Sequence, residues 1–488
     1  MSVNTSERRI ERAMVDALTG RSVLASSKPG ATGVKSPGSG GWVVGRVDDY
    51  DRALMLDPVQ LTAFLEKTQF TTDAERDALN LGTGSPTRQA FLSLLREQIT
   101  QRGVIDVLRR GVAFGELHVD LFYGMRSHGN PPSPRRFTQN RFSLIPHLPY
   151  SEEETRPAVD LCLFVNGLPI ATFALTDGLN RRSVDDAIEH YRAIQVSHEP
   201  LFQPGRCMAH FAVDEQRAYV SSELKGDLSN FLTFNQGSSE ADGNPANLFG
   251  IATDYLWRRI LTRPGVIDII ENYAQMMTTA DDRSVPIFPR YHQLEVVRRL
   301  LADAEANSVG HHYLLQHSAG SGTSFSIAWL TSQLIGLQQD GVRIFDSTFV
   351  LSDRRSVERR LGDAIRNFSK LSARISPEPD APAHIRECIE RGVSVILSDV
   401  AQYALILDDI GAHPDGRRFA FIVDEAQPTS EDQINRVMIG RAPLRNTSTF
   451  VFAPTANHTT LGLFGQPFNE LGTTKYRPFH AYSTERRS

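Results

Sequence analysis

Five strongly apolar runs, HYLLQHS, STFVLSD, VSVILSD, FAFIVDEAQ and STFVFAP, follow one another between residues 312 and 454 with helix-length segments between them. A strand that is apolar along its whole length must be covered on both faces, and an alternating strand–helix order supplies that cover. The pattern, which begins near Phe288, therefore predicts a parallel sheet wrapped in helices. Ligands of such sheets sit at the carboxyl ends of the strands, so the residues just after each run are the ones to inspect.

After the first run the chain reads AGSGTS. Gly320, Ser321 and Gly322 would let backbone N–H groups curl around a phosphate at the start of the next helix, where the helix dipole favours an anion. Thr323 stands before Ser324, at the position where a P-loop carries lysine. A threonine cannot supply the cation that neutralises the terminal phosphates, so weak nucleotide binding without efficient hydrolysis is expected. The fourth run closes on Asp424 and Glu425, placed as a Walker B pair: the first would orient Mg²⁺ and the second would polarise the attacking water. Taken alone, a strand ending in Asp-Glu also reads as a solvated end with a capping carboxylate; the upstream Gly-rich turn favours the nucleotide reading.

The front half has another texture. AFLSLLREQITQRGVIDVLRRG reads as helix, and VDLCLFVNGLPIATFAL as two apolar runs joined by Asn166-Gly167, a strong hairpin signal. CMAHFAVDEQRAYV predicts a further pair of strands. Near the start, Ile10, Met14 and Leu18 share one face of a short amphipathic helix that would dock on the main body or on a partner. The SSKPGATGVKSPGSGGW that follows reads as a flexible linker or a disordered loop. Asp160 opens the first strand of the hairpin, a suitable place for a metal ligand of a nuclease, which needs clustered carboxylates and usually a lysine. The matching place on the second strand reads Ala174-Leu175-Thr176, and Asp177 is the nearest substitute carboxylate. Two readings of Asp160 stay open: a residual metal and catalytic residue, or a structural strand-end residue.

At 488 residues the chain exceeds one hydrophobic core, so two or three domains are expected. A net charge of -5 means that contact with nucleic acid must come from a local basic surface. Candidate groups are Arg126, Arg135, Arg136, Arg141, Arg181 and Arg182, with Arg354 and Arg355 further on; such arginines also suit a plain solvated face. Three cysteines without CxxC spacing argue against a disulfide framework or a zinc site and fit a reducing compartment. With no apolar stretch long enough for a signal peptide core or a membrane span, a soluble, cytoplasmic protein is expected.

These segments, in this order, make the chain similar to the R subunit of type I restriction-modification enzymes over nearly its whole length. The stretches that carry the likeness are VDDYDRALMLDPVQLTAFLEKTQ, VDLCLFVNGLPIATFALTD, CMAHFAVDEQRAYV, TDYLWRRIL, IFPRYHQLEVVRRLL, HYLLQHSAGSGTSFSIAWL, LSDRRSVERRL and RRFAFIVDEAQ. The resemblance implies an α/β protein: a PD-(D/E)xK nuclease-like domain followed by one RecA-like parallel-sheet domain of superfamily-two helicase type. The corresponding divisions are an N-terminal helix and linker at 1–41, the nuclease-like domain at 42–265 and the RecA-like domain at 266–488. It also implies DNA, ATP and Mg²⁺, with methyltransferase and specificity subunits as partners.

Residue by residue, Asp160 matches the first nuclease aspartate, the family's Glu-Leu-Lys falls on Ala174, Leu175 and Thr176, and its following Gln falls on His190. Gln293 stands where such helicases place an adenine-contacting glutamine, and Gly320, Ser321, Gly322 and Ser324 match the P-loop with Thr323 in the lysine's place. Asp424 and Glu425 match Walker B, Gln427 takes the usual histidine's position, and Ala453-Pro454-Thr455-Ala456 corresponds to the family's Thr-Ala-Thr-Pro. A full member continues into a second RecA-like domain that this sequence does not include, so no motor activity is expected. The resulting expectation is an R-subunit-like, DNA-associated protein with impaired catalytic modules. The alternatives are a residual Mg²⁺-dependent endonuclease using Asp160 and Asp177, and a non-enzymatic protein that regulates a restriction complex.

Overall fold

The structure is a computed structural model and describes residues 7–20, 40–69, 80–82, 84–125, 136–151, 157–176, 183–194, 196, 198–237, 243–248, 250–278, 283–352, 364–365, 382–412, 416–424, 435–439, 444–470 and 472–483. The chain divides into two compact units, Met1–Arg290 and Tyr291–Ser488.

The first unit is built on a seven-stranded mixed sheet whose spatial order follows the chain: β1 (Val43–Val44), β2 (Phe142–Pro149), β3 (Ala158–Val165), β4 (Leu168–Leu175), β5 (Ala209–Val213), β6 (Ala218–Ser221) and β7 (Leu232–Thr233). Strands β2, β3 and β4 form an antiparallel meander. Its tight turn uses Asn166 and Gly167, both at positive φ, the conformation that the Asn-Gly pair predicts. A side chain on Gly167 would run into the carbonyl of Asp57, so glycine is required there twice over.

Strand β4 then pairs in parallel with β5, and the crossover carries the helix Val184–Arg192. Ser183 and Asp186 close a capping box at its start, while Val184, Ala187, Ile188 and Tyr191 turn inward. Every residue of β4 is buried, as a strand covered on both faces must be. The amphipathic N-terminal helix, Glu7–Thr19, buries Ile10, Met14 and Leu18 against the body of this unit. The unit also contains residues 266–290: Arg109 donates to the carbonyl of Ile270, and Met276 lies against Gly103.

The second unit holds a six-stranded parallel sheet: β8 (His312–His317), β9 (Ser347–Ser352), β10 (Val395–Asp399), β11 (Phe419–Asp424), β12 (Thr447–Ala453) and β13 (His480–Tyr482), in the spatial order β10-β9-β11-β12-β8-β13. The first five are the five apolar runs; β9, β11 and β12 are buried along their whole length. Helix Tyr291–Asn307 precedes them, and helices Thr323–Leu334, Pro382–Glu390 and Tyr403–Ala412 lie between them. Leu314, Phe349, Phe421 and Val451 meet Ile385, Tyr403, Ile406 and Ile410 in one core.

No described helix is long and apolar enough to cross a membrane. The linker stretch 21–39 lies outside the described residues, as do Arg126, Arg135, Asp177, Arg181, Arg182, Arg354, Arg355, Glu425 and Gln427.

Candidate functional site

Strand β8 ends in the turn 318–322, which leads straight into the helix Thr323–Leu334. Gly320 and Gly322 adopt φ of 77° and 83°, a left-handed conformation that glycine enters without strain. No described side chain caps this helix, and its first turn carries no acidic residue, two features that suit an anion at a helix N-terminus. Ala319 and Gly320 are exposed, Gly322, Thr323 and Ser324 half-buried, and Ser321 buried.

At Thr323, the lysine position, the hydroxyl turns back to lie 3.1 Å from Ser321 Oγ. A lysine would reach over the turn with a positive charge; this threonine binds the turn to itself. No described side chain of the turn brings a cation.

The outer wall of the turn comes from the preceding helix. Gln293, 3% exposed, donates through Nε2 to the carbonyls of Ser321 (3.3 Å) and Gly322 (3.0 Å). His292 Nε2 lies 3.0 Å from the same Ser321 carbonyl. A carbonyl only accepts, so this nitrogen carries the proton. Behind His292 the ring of Tyr482 is stacked face to face at 3.5 Å, with an interplanar angle of 6°.

His317 Nε2 is 2.9 Å from His480 Nδ1, which requires one donor and one acceptor and forbids double protonation of both rings. Burial, His480 and His292 push the His317 ring well below the usual imidazole range. Burial and then Arg299 push His480 down to about 4. The pair is neutral at neutral pH. Of this layer the sequence points only to Gln293, by resemblance and as an adenine contact, whereas its Nε2 is committed here to the turn carbonyls; His292, almost thirty residues before the turn, and Tyr482, about 160 after it, carry no local signal.

Asp424 closes β11 at 7% exposure and stands in register with Ser352 on one side and Phe452 on the other. Because β12 separates β11 from β8, the carboxylate is one strand removed from the strand that feeds the phosphate turn. If a nucleotide bound here, its phosphates would rest on Gly320–Ser324 and its cation on Asp424; among the described residues, Thr323 does not fit that group and Gln293 is bound to the turn instead.

In the first unit, Asp160 Oδ2 accepts a 2.7 Å hydrogen bond from the backbone N–H of Leu175. The carboxylate at the head of β3 is thus tied to the end of β4, within the tripeptide Ala174-Leu175-Thr176. Thr176 Oγ1 donates to the carbonyl of Ser183 and its N–H to Val213, so this side chain is also engaged in holding the crossover. Among the described residues no three His, Cys, Asp or Glu side chains are gathered as a metal site. The described groups around Asp160 do not fit a nuclease metal.

Below this point lies a buried polar chain: Thr172 Oγ1 is 2.9 Å from Tyr191 Oη and 2.8 Å from His210 Nδ1. Burial lowers the His210 ring to about 3, so it stays neutral. Burial, opposed by the Thr172 hydrogen bond, keeps the Tyr191 phenol well above its usual range. His190 points outward and is exposed. Of the arginines proposed for DNA, Arg136 is described and exposed, its guanidinium 5.6 Å from the centre of the Tyr123 ring, and Arg141 Nε donates to Gln60 Oε1.

No family model matches the chain, and no curated protein does. Among solved structures it overlaps a fragment assigned as an HsdR subunit of a type I restriction enzyme from Vibrio vulnificus YJ016, at 10% identity and TM-score 0.29, over 70% of this chain and 55% of that one. It also overlaps the UvsW helicase of bacteriophage T4 (12%, TM-score 0.27, 43% and 63%) and the Hef helicase domain of Pyrococcus furiosus (11%, TM-score 0.26, 35% and 34%). The chain thus spans about a third to just under two thirds of these structures. Overlaps of this extent assign no residue role.

Proposed function

We propose that this chain is a DNA-associated protein of the type I restriction R-subunit kind whose nuclease and ATP-driven modules are catalytically impaired. The observation that carries the reading is the phosphate turn: an uncapped helix start with two left-handed glycines, in which Thr323 is hydrogen-bonded to Ser321 where a phosphate-neutralising lysine is needed. The retained Asp424 at the carboxyl end of β11 supports a nucleotide ancestry for the same sheet. The first unit supports the same conclusion, since Asp160 is bound to a backbone amide and its facing tripeptide offers neither carboxylate nor ammonium. ATP and Mg²⁺ are then weakly held at best, DNA is the macromolecular ligand, and methyltransferase and specificity subunits are the implied partners.

Calorimetric titration with Mg–ATP, followed by an ATPase assay with and without duplex DNA, tests the reading. Weak binding without DNA-stimulated turnover is expected. Tight Mg–ATP binding with turnover would sink it, as would Mg²⁺-dependent plasmid cleavage that Asp160→Ala abolishes. Co-purification with methyltransferase and specificity subunits, in protein that binds no duplex at low salt, would favour a regulatory role without DNA contact.

A further inference from the structure

The phosphate turn is tied at both ends to a single three-residue strand. Strand β13 is the outermost described strand of the parallel sheet and pairs with β8, with Leu315, Gln316 and His317 opposite His480, Ala481 and Tyr482. The carbonyl of Tyr482 accepts from Ser318 N–H at 3.0 Å, holding the first residue of the turn. The ring of Tyr482 is stacked on His292, and His292 in turn donates to the carbonyl of Ser321, near the far end of the turn. The His317–His480 contact closes the arrangement from beneath.

We propose that β13 is a latch: its docking on β8 fixes the shape of the turn 318–322, and its release loosens that turn. An edge strand with three ladder residues is the easiest part of a sheet to detach. Detachment takes away the acceptor of Ser318 N–H and the ring that backs His292, so the near end of the turn loses a bond while the far end is left to Gln293 and an unbacked His292. Pull on the chain at Tyr482 then opens the turn, and by linkage an anion held in the turn strengthens the docking of β13. The second consequence rests on the nucleotide reading above; the latch itself does not.

Hydrogen exchange of the full chain, read by mass spectrometry without nucleotide, tests the latch independently of that reading. Tyr482→Ala should speed exchange of the 318–322 amides by about tenfold, with 419–424 and 447–453 unchanged, and Tyr482→Phe, which keeps the stacking ring, should match the parent protein. Parent-like exchange of the turn in Tyr482→Ala would overturn the proposal, and so would an equal rise across the whole second unit or a Tyr482→Phe variant as fast as Tyr482→Ala.

Discussion

Asp57 is 0% exposed, accepts from Val59 N–H and Gln60 N–H through Oδ1, and has no hydrogen-bond partner for Oδ2 among the described residues. Burial, against the two backbone hydrogen bonds, raises its pKa to about 6. The unfolded value is about 3.9, so the folded state holds the proton more tightly. Stability from this group is complete below pH 4 and is lost as pH rises through about 6. The swing is on the order of 2–3 kcal/mol. Urea unfolding of the parent should show a higher midpoint at pH 5 than at pH 7.5. Asp57→Asn keeps the capping oxygen and removes the charge, so it should flatten that difference. Equal pH dependence in the two proteins would count against a buried, strained charge. Thr323 gives the complementary case of a missing charge. Thr323→Lys adds an ammonium over an anion-ready helix start and should tighten Mg–ATP binding by about tenfold or more, the order of a charge-assisted hydrogen bond. Calorimetry showing no gain would mean that the turn is not a phosphate site.

At the scale of elements, Asp160 acts as a tie between two strands. Asp160→Ala leaves Leu175 N–H without its acceptor and should cost roughly 1–3 kcal/mol in a denaturant titration. Asp160→Asn retains an oxygen acceptor and should lose much less; if both variants unfold like the parent, the tie is not structural. The strands themselves were legible because their apolar runs are continuous, short and set between helix-length segments, and β9, β11 and β12 are indeed buried from end to end. The Asn166-Gly167 turn was legible for its two positive φ angles. Strand β13 was not. Its residues, His-Ala-Tyr, make neither a run nor an alternation, and it forms only because β8 offers an open edge. The same reason hid the packing beneath the turn 318–322: glycines and hydroxyls declare a turn by local spacing, whereas the His292–Tyr482 stack exists only through long-range packing.

For the whole molecule, the alternation of apolar runs and helices sufficed for a parallel sheet, but its strand order, β10-β9-β11-β12-β8-β13, depends on which helix covers which face and has no local signature. Charge is likewise a global quantity that hides a local one. With a net charge of -5 the chain as a whole repels a polyanion, so any association with duplex must be carried by a few arginines, among which Arg136 is exposed beside the Tyr123 ring. Each phosphate neutralised releases condensed counterions, and the logarithm of affinity falls by about 0.9 per phosphate for each tenfold rise in salt. A footprint of about four phosphates then predicts a loss of roughly a hundredfold between 50 and 200 mM salt. Fluorescence anisotropy with two unrelated duplexes of equal length measures this directly. Equal affinities and a steep salt slope are expected, with Arg136→Ala lowering the slope by about one unit. A shallow slope, or discrimination between the two duplexes, would rule out the proposed phosphate-contact mode of DNA binding.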